Sequence, residues 1–425
     1  MKALLVCVAA AAVALPIALT GCTAGAPSST NSGNSSQIRY LIGQPDTPAQ
    51  LDQIKADIKK FESQSGTSVK LDVLPADNIR TILQTQLRSG QGPDVFGYDT
   101  GPGFAGALAN AGLLYDLSAA YKAHGWKTYD FAKQRVTFNG KTVGIPDQVE
   151  EVGVFYNKDI FSKLGLTAPH DLKDLNNAAA AIKKAGMTPF AVADKEGWEG
   201  GHLLSMVLSS RAGSQGMSAL LKGQSSWNSP DVVAALDTWN QFNKNGYLTP
   251  SPAAVGYDNA NALFYSGKAA MDPTGSWLVQ TIEKSAKFNV GFIPFPSEKD
   301  KGIFAGGLGS GTFVSAKTTK ADAALKFLDY IQTQEHGRWQ VETLHTIPAF
   351  PVDTSGIKAS PLFAQIVAGT TQITKGTGDF GYNIDVLTTD VFNKAMWDGF
   401  QGMLSGQTSP AGVAHSLDAA FKKKS

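Results

Sequence analysis

Three carboxylates interrupt a segment whose other residues are typical of buried strands. Asp147, Glu150 and Glu151 lie within residues 140–157, which otherwise alternate like two extended strands in succession. An unpaired charge is costly to bury, so three acids are unusual in a strand of a closed core. We therefore interpret the segment as a strand that crosses a wet crevice between two lobes, with one carboxylate facing a ligand.

Only one of the two adjacent glutamates can face this crevice. Successive side chains of a strand point to opposite faces of the sheet, which separates Glu150 from Glu151. A glycosidase needs two carboxylates that face each other across roughly 5–10 Å, and this pair cannot supply them. Glu196 or Asp99 could bring a second acid from another loop, so a surface glycoside hydrolase stays open as the alternative. The sequence favours a site that binds its ligand without catalysis.

Three aromatic side chains lie at loop edges among polar residues. Trp198 is flanked by Glu196 and Glu199, Trp277 ends the run Thr-Gly-Ser-Trp, and Tyr98 precedes an aspartate. A pyranose packs the face of its ring on such aromatic surfaces while nearby acids and amides bind its hydroxyls. We expect a sugar site here, although each ring could instead belong to a rim or core. The remaining tryptophans are interpreted as packing residues: Trp126, Trp227, Trp239, Trp339 and Trp397.

The other motifs exclude several kinds of chemistry. The glycine-rich residues 306–311 lack the lysine of a phosphate-binding loop and lead into a strand, so we interpret Gly307 as a hinge or a close approach of backbone to ligand. The six histidines are scattered, and no Gly-x-Ser-x-Gly elbow is present. A net charge of +1 gives no indication of a nucleic-acid partner. We predict no metal, no cofactor and no catalytic residue.

The first hundred residues predict an α/β unit that can position such a site. Apolar patterns indicate strands at residues 38–42, 69–73 and 93–98, separated by two amphipathic helices. This order predicts βαβ units and a largely parallel sheet. Ligands of such sheets bind beyond the carboxyl ends of the strands, where Asp46 and Asp99 are found.

The length of 425 residues favours two domains, and the later elements continue the α/β pattern. Residues 194–201 are predicted to form a loop, and residues 304–315 to return from one lobe to the other. Further helices are predicted over residues 172–185, 203–210, 232–242, 260–265 and 321–331, and further strands over residues 189–192, 269–271 and 288–292.

The N-terminus has the features of a targeting segment. Residues 1–21 combine Lys2 with a long apolar run and small residues before Cys22, which predicts a signal peptide, with a retained membrane anchor as the alternative. The sequence Leu-Thr-Gly-Cys resembles the bacterial lipobox, which implies a lipoprotein with a diacylglyceryl thioether, and fatty acids such as palmitate, on Cys22. Residues 22–36 then form a flexible polar tether. Cleavage leaves one cysteine, so no disulfide can form within the chain.

Most of the mature chain resembles the family 1 extracellular solute-binding proteins of ABC importers, which include maltodextrin binders. The resemblance rests on motifs that occur in order along the chain: Gly-x-x-Pro-Asp-Val ending at Val95, the segment 145–158 with its Tyr-Asn-Lys end, the segment 267–277, and the glycine pair at 306–307.

This resemblance implies a two-lobe α/β fold of the type II periplasmic-binding-protein kind. Each lobe is discontinuous: residues 37–147 pair with 304–355, and residues 148–303 pair with 356–425, with hinge strands crossing between them. The resemblance further assigns ligand contacts to matching positions. Glu150 would bind sugar hydroxyls, Trp277 and Tyr98 would stack on the sugar, and Glu196 with Trp198 would form the acidic–aromatic pair of the second lobe.

The implied function is solute capture at the extracellular face of the cell membrane. The resemblance implies a lipid-anchored monomer that closes on a sugar, with an oligosaccharide favoured, and delivers it to ABC permease subunits. A binder of a different small solute, such as a polyol phosphate or an amino acid, stays open. The small number of arginines and lysines near the motifs argues against an anionic ligand.

Overall fold

The computed structural model describes residues 37–374 and 381–423. The predicted signal peptide, the lipidated Cys22 and the tether lie outside these residues. The predictions made for them therefore stay predictions.

The described residues form fourteen strands, most of them short. They are β1 (Gln37–Gly43), β2 (Ser68–Leu74), β3 (Val95–Asp99), β4 (Thr137–Phe138), β5 (Lys141–Thr142), β6 (Gly144–Pro146), β7 (Gln148–Asn157), β8 (Thr188–Phe190), β9 (Ala269–Gly275), β10 (Val290–Ile293), β11 (Ala305–Gly307), β12 (Ser310–Val314), β13 (Ile347–Pro348) and β14 (Gly381–Tyr382).

The same residues form sixteen α-helices. They are α1 (Pro48–Ser65), α2 (Ala76–Ser89), α3 (Ala105–Asn110), α4 (Ser118–His124), α5 (Asp130–Gln134), α6 (Lys158–Lys163), α7 (Leu172–Lys184), α8 (Trp198–Leu221), α9 (Pro230–Lys244), α10 (Tyr257–Tyr265), α11 (Val279–Ser285), α12 (Ala321–Ile331), α13 (Gln334–Trp339), α14 (Pro361–Thr374), α15 (Asp390–Leu404) and α16 (Pro410–Lys422). Short 3-10 turns occur at Pro252–Ala254, Ser276–Leu278 and Asp385–Leu387, and a π-helical turn at Gln340–Leu344.

The first sheet has five strands in the order β2-β1-β3-β12-β6. β1 is parallel to both β2 and β3, as the βαβ pattern predicts. The prediction of a largely parallel sheet is nevertheless wrong in part, because β12 is antiparallel to β3 and to β6. β12 returns to this sheet from the second one, without a crossover helix, and therefore runs against its neighbour.

The second sheet is built around β7, the ten-residue strand that carries the two glutamates. Its strand order is β14-β11-β7-β9-β8, and β10 and β13 also pair with β7. Residues Val149–Phe155 of this strand are buried, in agreement with its apolar alternation. The strand is central, so its side chains are fixed by neighbours on both edges.

Two short segments connect the sheets directly, and a longer third connection runs from β12 through α12 and α13 to β13, which pairs with β7. Asp147 separates β6 of the first sheet from β7 of the second, and Leu308 and Gly309 separate β11 from β12. β11 pairs with β7, so this return falls within the predicted crossing at residues 304–315. The predicted division into lobes stays a prediction.

Helix ends follow local signals where the sequence carries them. Thr47 caps α1 in a capping box with Gln50, and Gly66 ends the helix in the left-handed conformation. The predicted loop at residues 194–201 is wrong in its second half, because α8 begins at Trp198. The Asp194 carboxylate accepts a hydrogen bond from the backbone N of Gly200 at 2.8 Å, which gives one N–H group of the first turn a partner. The apolar pattern of the sequence does not reveal this contact.

The largest hydrophobic core lies in the second lobe and fully buries Trp227 and Trp239. Trp126 is buried in a core beside the first sheet. These three tryptophans therefore have the packing role expected of them. Within residues 37–374 and 381–423, no helix is both long and apolar enough to cross a membrane.

Candidate functional site

A cavity of about 410 Å³ lies where the strand ends of the first sheet meet Trp277 from the second lobe. Its wall is formed by β1, β3, β6 and β12, by helices α1, α12 and α13, and by the π-helical turn. The aromatic side chains on this wall are those of Tyr40, Tyr98, Trp277, Phe327, Trp339 and Phe350. The wall thus combines flat apolar faces with polar groups, as small-molecule sites do.

Four of the eight predicted ligand residues line the cavity. Asp46 follows β1, Tyr98 and Asp99 end β3, and Trp277 follows β9. The sheet geometry explains this result, because ends of adjacent parallel strands meet at one edge. The other four lie off this wall: Glu150, Glu196, Trp198 and Gly307.

Trp277 is held in place by hydrogen bonds behind its ring. Its Nε1 donates to the hydroxyl of Tyr257 at 2.8 Å, and this hydroxyl is 2.9 Å from Oγ1 of Thr274. The ring of His202 lies 5.3 Å from the Trp277 ring. The tryptophan is half-buried and presents its remaining surface to the cavity. It is a rigid apolar platform, which suits stacking on a sugar.

Trp198 supports this platform from behind. Its ring centroid lies 4.7 Å from that of Tyr257 and 5.0 Å from that of His202. Glu196 is exposed and accepts a hydrogen bond from the backbone N of Tyr257 at 3.2 Å. The predicted acidic–aromatic pair therefore contacts the residue that orients Trp277.

Glu150 joins the two connecting segments. Its carboxylate accepts hydrogen bonds from Nε2 of Gln148 at 2.7 Å and from the backbone N of Gly309 at 3.1 Å. Only 9% of Glu150 is exposed, and burial raises its pKa to about 7. Gly307 pairs with Glu150 in the sheet. In this conformation Glu150 braces the hinge, and its predicted contact with sugar hydroxyls stays a prediction.

Glu151 points away from its neighbour, as strand alternation requires. It is 0% exposed, and neither carboxylate oxygen has a hydrogen-bond partner. Helix α14 covers it, because a Cβ placed on Gly369 would lie 2.2 Å from Oε1. Burial raises its pKa well above the ordinary value for a glutamate.

Arg80 forms an ion pair at the edge of the cavity that the sequence did not reveal. Its Nε and Nη2 each lie 2.8 Å from a different carboxylate oxygen of Asp99. Across the cleft, burial and then the Arg80 charge lower the pKa of His202 to about 3. Burial raises the pKa of Asp385 to about 7, against the effect of Arg80. Arg80 lies on helix α2, and no sequence motif around it indicates a position near the cavity.

Several wall residues were missed or assigned to another role. The sequence indicates a packing role for Trp339, but the structure shows this side chain half-buried on the cavity wall. Asp57 contacts Nδ1 of His336 at 2.9 Å and accepts a hydrogen bond from the hydroxyl of Tyr330 at 2.6 Å. One signal was available for Asp57, since it lies three residues after Ile54 and four before Phe61 and therefore shares their face of α1.

The two lobes are in contact on both sides of the cavity. Oγ1 of Thr281 donates to Asp46 at 3.1 Å, and Nε2 of Gln280 donates to Oε1 of Gln53 at 3.3 Å. On the other side, a Cβ added to Gly101 would lie 2.1 Å from the carbonyl oxygen of Val386. Contacts of this kind describe a closed cleft.

In the described part of the chain, no cluster of three or more histidines, cysteines or acids could hold a metal ion.

Comparison with known proteins places this geometry in context. Residues 56–365 match the family model of the bacterial extracellular solute-binding proteins. The multiple sugar-binding protein of Streptococcus mutans is 28% identical over 337 residues, which cover 76% of this chain and 77% of that protein. The maltodextrin-binding protein of Bacillus subtilis is 28% identical over 310 residues, covering 68% of each.

Solved structures give the same fold. A chitin oligosaccharide binding protein has a TM-score of 0.79 at 24% identity and covers 91% of this chain and 98% of its own. A protein solved in a study of xylan utilization by Caldanaerobius polysaccharolyticus has a TM-score of 0.82 at 21% identity. The match covers 91% of this chain and 100% of that protein. These similarities confirm the predicted two-lobe α/β fold.

Proposed function

Because the chain belongs to the bacterial extracellular solute-binding proteins, we propose that it captures a sugar for an ABC importer, with an oligosaccharide as the favoured ligand. The observation that carries this proposal is the cavity of about 410 Å³, on whose wall the rings of Tyr98 and Trp277 lie with the carboxylates of Asp46 and Asp99. Relatives named for multiple sugars and maltodextrin support the same class of ligand.

Binding would proceed by closure of the two lobes. A sugar that stacks on Trp277 in an open cleft gains further hydrogen bonds when the first lobe approaches with Asp99 and Asp46. The ligand can drive closure only by binding the closed form more tightly than the open one. The contacts between Thr281 and Asp46 would then form with the ligand inside, and the closed protein would deliver it to the permease subunits.

We further propose that the mature protein is a monomer anchored to the membrane through lipid on Cys22. The lipobox-like sequence and the polar residues 23–36 support this proposal. Replacement of Cys22 by Ser should release the protein from the membrane fraction into the medium. Retention of the Ser variant on the membrane would argue for a different anchor.

Calorimetry tests the ligand class directly. The mature protein with Cys22→Ser should be titrated with cello-, xylo-, malto- and chito-oligosaccharides, while chromatography follows each sugar for hydrolysis. We expect saturable binding of at least one series with every sugar recovered intact. Turnover would favour the glycoside hydrolase, and silence across the whole set would contradict sugar capture.

A further inference from the structure

The charge on the cavity wall is one-sided. Its residues include the four aspartates Asp46, Asp57, Asp99 and Asp147, and no lysine or arginine of the described chain lines it. A wall of this composition favours a ligand that brings hydrogen-bond donors or positive charge. Which of the two it favours depends on whether the aspartates already have partners.

Two of the aspartates do have partners within the protein. Asp99 is paired with Arg80 through two hydrogen bonds of 2.8 Å. Asp57 accepts a hydrogen bond from Tyr330 at 2.6 Å and lies 2.9 Å from the His336 ring. The negative charges of these two carboxylates therefore do not require compensation by a ligand.

The other two have no lysine or arginine partner among the described residues. Asp147 is half-buried at the hinge and accepts a weak hydrogen bond from the hydroxyl of Ser310 at 3.5 Å. Burial raises the pKa of Asp147, and the nearby ring of His336 opposes this rise. Asp46 is exposed on the cavity wall and accepts one hydrogen bond, from Thr281 at 3.1 Å. Across the cleft it faces the further acid Asp258, which adds to the negative charge.

A bound ligand makes it more costly to keep these two carboxylates charged. The ligand displaces cavity water from carboxylates that no lysine or arginine of the described chain compensates, and an uncompensated charge away from water is unfavourable. A sugar hydroxyl can donate one hydrogen bond and leaves the charge in place. An ammonium group can donate up to three hydrogen bonds and neutralise a carboxylate, and it also interacts favourably with aromatic faces such as that of Trp339.

We propose that the cavity prefers a sugar that carries a free, protonated amine, with Asp147 and Asp46 as the acids that select it. The proposal rests on the sugar-binding function proposed above and narrows its ligand class from sugars to amino sugars. The aromatic wall binds the ring, and the unpaired aspartates distinguish an ammonium from a hydroxyl at the same position.

Matched sugar pairs test the proposal. Glucosamine, galactosamine and mannosamine are compared with glucose, galactose and mannose, and the β-1,4-linked glucosamine dimer and trimer with cellobiose and cellotriose, by calorimetry on the mature protein at neutral pH. N-acetylated dimers and trimers serve as a third set, since acetylation removes the charge but keeps the nitrogen. We expect at least one amine to bind tenfold or more tightly than both its hydroxyl and its acetylated counterpart.

Variants locate the selectivity. Asp147→Asn and Asp46→Asn should each lower the ratio of amine to hydroxyl affinity at least fivefold, whereas Asp52→Asn, an exposed aspartate on α1, should keep the ratio of the parent protein. Neutral sugars that bind as tightly as their amines would overturn the amine preference and leave sugar capture intact. An amine preference that survives both cavity variants would overturn the role of these aspartates. Silence with every sugar would remove the proposed function itself.

Discussion

Trp277 is the residue on which the proposed sugar site depends most directly. Its half-buried ring forms part of the cavity wall, and the hydrogen bond from Nε1 to the Tyr257 hydroxyl fixes its orientation. Truncation should remove the stacking surface without disturbing a core, because the ring lies at the edge of the packed clusters.

Trp277→Ala is expected to weaken binding of the preferred sugar tenfold or more, which is about 1.4 kcal/mol. Trp277→Phe keeps an apolar face but loses the hydrogen bond to Tyr257. Its sugar affinity should therefore lie between that of the parent protein and that of Trp277→Ala. Calorimetry measures the affinities, and the melting temperature of the sugar-free protein controls for folding. Equal affinities in all three proteins would exclude the ring from the site.

A separate prediction concerns Glu151 and the dependence of protein stability on pH. Its pKa is raised in the folded protein, whereas an unfolded glutamate has a pKa of about 4.3. The contribution of the protonated Glu151 carboxyl to the free energy of unfolding is therefore fully present below about pH 4.3. It is lost as the pH rises toward the folded pKa, by at most about 1.4 kcal/mol per pH unit.

Glu151→Gln removes this ionisation and should stabilise the protein relative to the parent by an amount that grows between pH 5 and pH 8. Urea denaturation at several pH values measures the difference in the free energy of unfolding. The exposed Glu342→Gln serves as a control for the same substitution at the surface. A flat difference for Glu151→Gln would mean that its carboxyl ionises normally in the folded state.

At the scale of elements, the two connecting segments and the loops after β3 decide whether the cleft can close. The hinge strands are held together through Glu150 and the backbone N of Gly309. After β3, the chain packs so closely on residues 386–390 that only glycines fit, since a Cβ on Gly103 would lie 2.7 Å from the backbone N of Asp390. These glycines are required by the contact between lobes.

Gly101→Ala should therefore impair closure. Gly101 has φ = 89°, and a Cβ there would lie 2.1 Å from the carbonyl oxygen of Val386 in the other lobe. Gly140→Ala is a matched control, because Gly140 has φ = 76° with nothing within 4 Å of its Cβ. Each substitution costs roughly 1–2 kcal/mol of backbone strain. Only the alanine at position 101 also clashes with the opposite lobe.

We expect sugar affinity to fall tenfold or more in Gly101→Ala and to be nearly unchanged in Gly140→Ala, with similar melting temperatures for the two sugar-free variants. If both variants bind sugar equally well, the packing of residue 101 on the second lobe does not take part in closure.

The whole molecule should exist in at least two shapes. The structure has contacts between lobes on both sides of the cavity, from Thr281 to Asp46 and from Gly101 to Val386. The hinge between these lobes is narrow in the described residues, because two of the connections between strands of different sheets are one and two residues long, namely Asp147 and the pair Leu308 and Gly309. A narrow hinge permits rotation of one lobe against the other.

Small-angle X-ray scattering should detect this motion. Saturating sugar is expected to reduce the radius of gyration of the mature protein toward the value of the closed structure, and sugar-free protein should be more extended. Gly140→Ala should respond like the parent and Gly101→Ala should stay extended. Superimposable curves with and without a sugar that calorimetry shows to bind would contradict closure.

The sequence alone determined the features that depend on neighbours along the chain. The first two helices followed from their amphipathic pattern and the strands from their alternation. The placement of Asp46 and Asp99 followed from their positions after parallel strands. Opposite orientations of Glu150 and Glu151 followed from the period of a strand. These properties arise from local sterics and periodicity, which a sequence contains directly.

Only the tertiary structure decided which side chains share the cavity. Trp339 and Asp57 reach it because helices α1 and α13 pack beside the first sheet, whereas Trp198 lies behind Tyr257 and Glu150 turns toward Gly309. The direction of β12 likewise depended on its return from the second sheet. Such contacts join residues far apart in the chain, and their geometry is set by packing, which no local pattern encodes.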